Sequence, residues 1–180
     1  MSRLPAVDRD RLNPAGQAIW DKIATLRSYS GTMRGPSSIM MNRPELADRF
    51  VGLEDYFRTD AELPQTDREL VILATTRELE ARFAWARHEA RAKEVGTRLE
   101  AIEAVRAHGG LDALTARERA LVEVVQAVLR THDVSDELFA RAISELGANQ
   151  LVEAVALAGT YCVVSFTITA FHIPEDSVTF

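Results

Sequence analysis

The stretch TDRELVILATTRELEARFAWARHEARAKEVG, residues Thr66–Gly96, carries the strongest structural signal in this 180-residue chain. Its first half contains the run LVILA, which is apolar on every side and is typical of a helix at the centre of a helical protein. In its second half Ala81, Ala84, Trp85 and His88 lie at spacings of three, four and seven residues, and therefore on one helical face. The stretch predicts two consecutive helices, the second with a small apolar face that contains one histidine.

Helix signals continue on both sides of this stretch. Asn13-Pro14 places a capping side chain before a proline that fits the first helical position, and Pro44 begins another helix. Three Thr-x-x-Glu patterns are typical of a capping box, and they begin at Thr66, Thr97 and Thr115. Glycines indicate helix ends at Gly96, Gly109-Gly110 and Gly147. Ser28–Gly35 is interpreted as a loop.

Together these signals predict the fold class. No segment alternates convincingly between apolar and polar residues with period two, and the β-branched run VVSFTIT (163–169) continues a helical pattern without a break. At 180 residues, one domain is the natural count. We predict an all-α helical bundle of about eight helices in a single domain, residues 1–180, with residues 1–60 as an N-terminal helical extension packed on it.

The composition argues against several function classes. The net charge is −6, and lysines and arginines are scattered along the chain. A nucleic acid or an anionic membrane would need a concentrated basic surface, so neither is expected as a partner. The four histidines are dispersed and show no spacing typical of zinc ligands. We expect no metal and no other cofactor.

The single cysteine, Cys162, lies in an apolar run, which predicts a buried structural thiol and no intrachain disulfide. The first 14 residues contain no apolar stretch typical of a signal peptide, so a cytoplasmic location is expected. Ala154–Phe171 has 18 residues without a formal charge, at the lower edge of membrane-spanning length. Its five polar or hydroxyl side chains favour a helix buried in a homo-oligomer over a membrane span.

The pattern Glu69-x11-Ala81-x2-Ala84-x3-His88 resembles the signature of the alkylhydroperoxidase D (AhpD) branch of the carboxymuconolactone decarboxylase superfamily. In that branch a glutamate is followed by Cys-x-x-Cys and then by a histidine. Here alanines occupy both cysteine positions, while the glutamate and the histidine are present. Three further segments also resemble parts of the family sequence: RGP (34–36), RPEL (43–46) and EAVALAGTYCVVSFTITAF (153–171). The resemblance implies an AhpD-like fold over nearly the whole chain and a small-molecule substrate.

The resemblance also implies roles for individual residues. In the decarboxylase branch, which lacks the cysteine pair, His88 would be the general acid/base and Glu69 its partner. This implies decarboxylase or lyase chemistry on a small carboxylate or lactone from aromatic catabolism. Ala81, Ala84 and Trp85 would line the substrate site. Apart from the resemblance, Arg34 lies in a loop beside Gly35 and Pro36, where it either binds a substrate carboxylate through its fork of donors or is a solvated loop arginine.

Two other functions stay open. A peroxiredoxin-related, AhpD-like antioxidant is disfavoured, because a peroxide-reducing thiol cycle needs the sulfur that Ala81 and Ala84 lack. A non-catalytic binding member of the family is the other alternative. Structural roles are open as well: Glu69 can close a capping box with Thr66, and His88 can be a core histidine satisfied by one hydrogen bond. Deciding between them depends on geometry, and we predict that Glu69 and His88 lie within direct or one-water hydrogen-bond reach.

Overall fold

The structure is a computed structural model that describes residues 2–27 and 33–174. In these residues it contains eight α-helices, two short 3-10 helices (Arg9–Arg11 and Leu111–Ala113) and no strand, so the predicted all-α fold is confirmed. The α-helices are α1 (Pro14–Leu26), α2 (Gly35–Met40), α3 (Pro44–Thr59), α4 (Gln65–Glu78), α5 (Arg82–Glu94), α6 (Leu99–Arg106), α7 (Ala116–Arg130) and α8 (Asp136–Phe171). Most of the predicted loop Ser28–Gly35 lies outside the described residues.

Several helix boundaries follow from local side-chain chemistry. The Asn13 side chain accepts a hydrogen bond from the Gly16 N–H at 2.8 Å, and Pro14 occupies the first position of α1, as predicted. At α7 the capping box of Thr115 is complete. At Thr97 the capping prediction is wrong, because α6 begins at Leu99 and no side chain caps it. The Thr97 hydroxyl donates to the Thr66 carbonyl at 3.3 Å instead.

Several helices are followed by a residue in the left-handed region. Gly96, just after α5, has φ of +86°, a conformation that costs glycine little. His108, His132 and His172 follow α6, α7 and α8 with φ of 60°, 58° and 49°. These three histidines are therefore helix-end residues. The fourth, His88, lies inside a helix.

The chain divides into two compact units. Among the described residues, the first contains 2–27, 33–60 and 166–174, and its core includes Ile23, Met41, Ala47 and Val51, with Trp20 packed against them. The second contains residues 61–165. That residues 1–60 pack as an extension on a single domain stays a prediction.

Within the second unit α4 is the central helix. It packs against α5, α6 and α7, and its residues from Glu69 to Thr76 are buried. Because the run LVILA is apolar on all sides, every face can be covered by a neighbour, as the sequence predicts. The hydroxyls of Thr75 and Thr76 are also buried, and they donate to the carbonyls of Val71 and Ile72 one turn earlier. α4 is therefore a fixed support for any side chain it carries.

The last helix, α8, has a break and an anchor. Gly147 has φ of 73° and ψ of 168°, which interrupts the helix where the sequence predicts an end. After the break, Glu153 is buried, and its carboxylate accepts hydrogen bonds from the N–H groups of Glu62 and Leu63 at 3.1 and 2.7 Å. These bonds fix α8 to the segment that leads into α4. α8 is long and apolar enough to span a bilayer, but half of its most apolar 18-residue window is buried inside the protein.

Candidate functional site

The centre of the candidate site is a hydrogen bond between α4 and α5. Glu69 Oε2 lies 2.7 Å from His88 Nδ1. The predicted contact between these residues is confirmed. The predicted capping box at Thr66 is wrong, because α4 begins at Gln65 and no side chain caps it. The Glu69 carboxylate is therefore available to α5.

A third residue, Tyr161 of α8, completes the site. Its hydroxyl oxygen lies 2.8 Å from His88 Nε2, the other ring nitrogen. The tyrosine and histidine rings meet edge to face, with centroids 4.9 Å apart and planes at 88°. Tyr161 is absent from the sequence-based site. Its only signal in the sequence is that it is one of five polar side chains in the otherwise apolar run Ala154–Phe171.

The partners of His88 determine where its proton lies. An ionised carboxylate can only accept hydrogen bonds, so Nδ1 of His88 carries hydrogen and donates it to Glu69. In the neutral imidazole Nε2 is then an acceptor, and the Tyr161 O–H donates to it. The site is a continuous chain of carboxylate, imidazole and phenol. Every member can pass a proton to its neighbour.

Burial differs along this chain of groups. The Glu69 side chain is 9% exposed and the His88 side chain 23% exposed, while Tyr161 is half-buried. The Glu69 carboxylate is therefore largely shielded from solvent, whereas the His88 imidazole and the Tyr161 side chain are partly exposed to it. A dry carboxylate strengthens its interaction with the imidazole, because low dielectric strengthens electrostatic contacts. A small molecule could therefore contact this hydrogen-bonded chain, hereafter the relay, at His88 or Tyr161.

Ala81 lies immediately before α5, and Ala84 and Trp85 lie within it. Ala81, Ala84 and Trp85 are all buried. The Trp85 N–H donates to the Glu89 carboxylate at 3.1 Å, and the Arg106 guanidinium lies 5.2 Å from the centre of the Trp85 ring. These contacts fix Trp85 from the side of α6. Its role in contacting a substrate, like that of the two alanines, stays a prediction.

Glu89 of α5 is a largely buried carboxylate close to Trp85. Its side chain is only 14% exposed and forms ion pairs with Lys93 and Arg106. Burial alone would raise the pKa of Glu89. Hydrogen bonds from Lys93, Arg106 and Trp85 outweigh burial and hold the pKa at about 2. Glu89 is therefore an ionised structural group close in sequence to His88.

Two further features are not part of the hydrogen-bonded chain Glu69–His88–Tyr161. Arg34 is exposed immediately before α2 and belongs to the first unit, so its proposed carboxylate contact stays a prediction. Between α7 and α8 a cavity of about 170 Å³ has a lining of apolar side chains and Gly159, and neither Glu69 nor His88 contributes to it. Cys162 lines this cavity, and partial burial raises the pKa of its thiol. Residues 2–27 and 33–174 contain no cluster of three potential metal ligands.

Comparison with solved structures places this fold. A crystal structure of an alkylhydroperoxidase AhpD core, an uncharacterized peroxidase-related protein from Ralstonia eutropha JMP134, has a TM-score of 0.76 and 16% identity. That match covers 97% of this chain and 92% of the other. An uncharacterized peroxidase-related protein from Silicibacter sp. TM1040 has a TM-score of 0.73 and 12% identity, over 96% and 92% of the two chains. At these identities the likeness establishes the fold.

The sequence itself matches a family model. No functionally curated protein matches the chain significantly. Residues 44–127 match the carboxymuconolactone decarboxylase family, and this range contains both Glu69 and His88. Over residues 44–127 the chain is therefore similar to the carboxymuconolactone decarboxylase family, and its overall fold is that of AhpD-like proteins.

Proposed function

We propose that this chain is an acid–base enzyme of decarboxylase or lyase type that acts on a small carboxylate or lactone. The observation that carries the proposal is the hydrogen-bonded chain Glu69–His88–Tyr161, with distances of 2.7 and 2.8 Å. A core histidine needs one hydrogen bond to be satisfied, whereas His88 has both ring nitrogens engaged and a dry carboxylate behind it. This order of groups is suited to moving a proton.

Each residue has a defined part in such chemistry. Glu69 holds the His88 ring in one tautomer and stabilises the imidazolium that forms when Nε2 gains a proton. Loss of CO₂ leaves an electron pair on carbon, and that carbon must then receive a proton. An imidazolium formed at His88 can supply it towards the open end of the relay. One proton from solvent then restores the resting state.

The antioxidant alternative meets a chemical obstacle. Alanines stand at positions 81 and 84, and Cys162 is the single cysteine of the chain. Partial burial raises the pKa of Cys162, which lowers the thiolate fraction at neutral pH. No second thiol is present in the chain to resolve an oxidised cysteine. These facts favour acid–base chemistry over thiol-dependent peroxide reduction.

The test is turnover of two lactones by the purified protein. γ-Carboxymuconolactone reports decarboxylation through CO₂ release, and α-angelica lactone reports proton transfer through isomerisation of its double bond. We expect turnover of at least one, and His88→Gln should reduce it by about 10²–10⁴-fold. If the protein binds one of the two lactones but turns over neither, the result would favour a non-catalytic binding member of the family. Dithiol-dependent peroxide consumption that is lost in Cys162→Ser would instead support the antioxidant.

We also propose that the chain forms a homo-oligomer through α8. Val152, Val155, Gly159 and Val163 repeat at spacings of three or four residues, and all are exposed, Val152 by 68%. An exposed apolar stripe of this kind is unfavourable in water. The same stripe on a second copy of the chain could cover it in a symmetric interface. Light scattering at micromolar concentration should give a multimer mass, and Val155→Glu with Val163→Glu should give monomers. Ser144→Glu, before the break in α8, is the matched control, and a monomeric wild type contradicts the proposal.

A further inference from the structure

We propose that the Tyr161 hydroxyl, rather than a His88 nitrogen, is the atom that exchanges a proton with the substrate. This inference deepens the proposed function and rests on it. Both ring nitrogens of His88 are engaged, Nδ1 by Glu69 at 2.7 Å and Nε2 by Tyr161 at 2.8 Å. A substrate could reach Nε2 only by displacing the phenol. Tyr161 is therefore the group that follows His88 in the hydrogen-bonded chain.

The local geometry supports this role. The Tyr161 O–H donates its one proton to Nε2, and a phenol oxygen can accept hydrogen bonds as well as donate one. The edge-to-face contact of the two rings, with planes at 88°, restricts the tyrosine to one orientation. The order carboxylate, imidazole, hydroxyl is that of a hydrolase triad, with a phenol in the place of the serine. His88 is then the relay between a fixed carboxylate and a reacting hydroxyl.

The proton balance is simple in both directions. When a proton leaves a substrate carbon, it goes to the Tyr161 oxygen as the phenol proton goes to His88 Nε2. The electron pair stays on the substrate as an enolate, and the imidazolium is paired with the Glu69 carboxylate. When carbon is protonated, the Tyr161 O–H gives its proton and takes another from Nε2. A free phenolate does not accumulate, which matters because the ordinary pKa of tyrosine is about 10.

A simpler role for Tyr161 makes different predictions. If the tyrosine only orients His88, a phenylalanine would leave Nε2 open to the substrate and turnover would persist. If the hydroxyl reacts, its oxygen is activated by His88 even without substrate. The two roles therefore differ in the reactivity of Tyr161 and in the kinetics of Tyr161→Phe.

The first experiment measures the reactivity of the phenol with 4-(2-aminoethyl)benzenesulfonyl fluoride. In this reaction a bond forms between the phenol oxygen and sulfur, fluoride leaves, and the phenol proton goes to His88 Nε2. Labelling is quantified by peptide mass spectrometry, with Tyr56, which is 41% exposed, as the internal reference. We expect Tyr161 to react about tenfold faster than Tyr56 and to lose this advantage in His88→Gln. Labelling no faster than that of Tyr56, or unchanged in His88→Gln, overturns the inference.

The second experiment measures α-angelica lactone isomerisation by Tyr161→Phe, after thermal unfolding has shown that the variant is folded. We expect kcat to fall by about 10²-fold or more with KM changed less than about threefold. The double variant Tyr161→Phe/His88→Gln should be no slower than the slower single variant, because the groups act as a unit. Wild-type turnover that Tyr161→Phe retains within threefold overturns this inference and leaves the proposed function standing. Absence of wild-type turnover counts against the proposed function, and the labelling rates then decide the state of Tyr161.

Discussion

The N-termini of α4 and α7 carry the same four-residue pattern, Thr-x-x-Glu, and fold differently. At α7 the Glu118 N–H donates to the Thr115 hydroxyl at 3.2 Å, and the Thr115 N–H donates to the Glu118 carboxylate at 2.8 Å. At α4 the helix begins at Gln65, so Thr66 is its second residue and the box does not form. Glu69 bonds to His88 instead.

The position at which each helix begins explains the difference. The Glu118 side chain is 13% exposed, and the local cap and an ion pair with Arg98 at 2.6 Å satisfy it. Glu69 lies in the second turn of the most buried helix of the unit, where an ionised carboxylate needs a strong donor. The ring N–H of His88 supplies one. The local pattern therefore forms a cap where the helix begins directly after its threonine, and a tertiary partner takes the carboxylate where the helix begins one residue before the threonine.

The largest expected effect separates the two glutamates by activity. Glu69→Gln should lower lactone turnover by about 10²–10⁴-fold, because an amide neither stabilises the His88 imidazolium nor fixes its tautomer. Glu118→Gln, the matched control, should retain turnover within about twofold. Equal loss in both variants would mean that Glu69 acts through helix stability alone.

A smaller effect concerns the ion pair that joins the two helix starts. Arg117, in the first turn of α7, donates to Asp67 in the first turn of α4 at 2.7 Å, and to the Glu145 carbonyl at 2.6 Å. The Asp67 side chain is only 10% exposed, so Arg117→Met should cost about 2 kcal/mol of unfolding free energy by leaving it unpaired. Urea unfolding at pH 7 measures this.

Arg119→Met is the control for that measurement. Arg119 is also in α7 and pairs with Asp112 at 2.9 Å, but Asp112 is fully exposed. Exposed pairs contribute about 0–1 kcal/mol. Equal costs for the two variants would show that the α4–α7 pair is no more important than a surface contact.

The two threonines provide a direct comparison of the two helix starts. Thr115→Ala should destabilise the protein by about 1 kcal/mol, because it removes a working cap. Thr66→Ala should change stability by less than about 0.5 kcal/mol, since its hydroxyl caps no helix. The difference in urea midpoint at constant m-value is the measurement. A larger cost at Thr66 would indicate that its hydroxyl has a role in the core.

The smallest expected effect is the loss, at low pH, of the stability that Glu89 contributes. The pKa of Glu89 is about 2 in the folded protein, below its ordinary value of 4.5, so its ionised form stabilises the fold. That contribution is complete above about pH 4.5 and is lost as the pH falls towards 2. The difference in unfolding free energy between the wild type and Glu89→Gln should therefore become smaller as the pH is lowered. The gap at pH 7 should be about 1 kcal/mol at most, because solvent screens a partly exposed pair. A gap that widens in acid contradicts this assignment.

The parts of the fold that could be predicted are those set within a few residues. Asn13-Pro14 and Gly96 determine helix ends through their own backbone and side-chain bonds, so their prediction needs no neighbour. The Glu69–His88 contact was predictable because their spacing places them on two consecutive helices, and the resemblance identified the pair. Tyr161 could not be found in this way. Its contact depends on the orientation of α8 against α5, and no short pattern encodes that orientation.

The two tryptophans of the chain lie in different units, Trp20 in the first and Trp85 in the second. The intrinsic fluorescence of each therefore reports the melting of a different half of the molecule. Trp85→Phe leaves the signal of Trp20, and Trp20→Phe leaves the signal of Trp85. Coincident transitions in the two variants would identify one cooperative folding unit, and separate transitions would identify two.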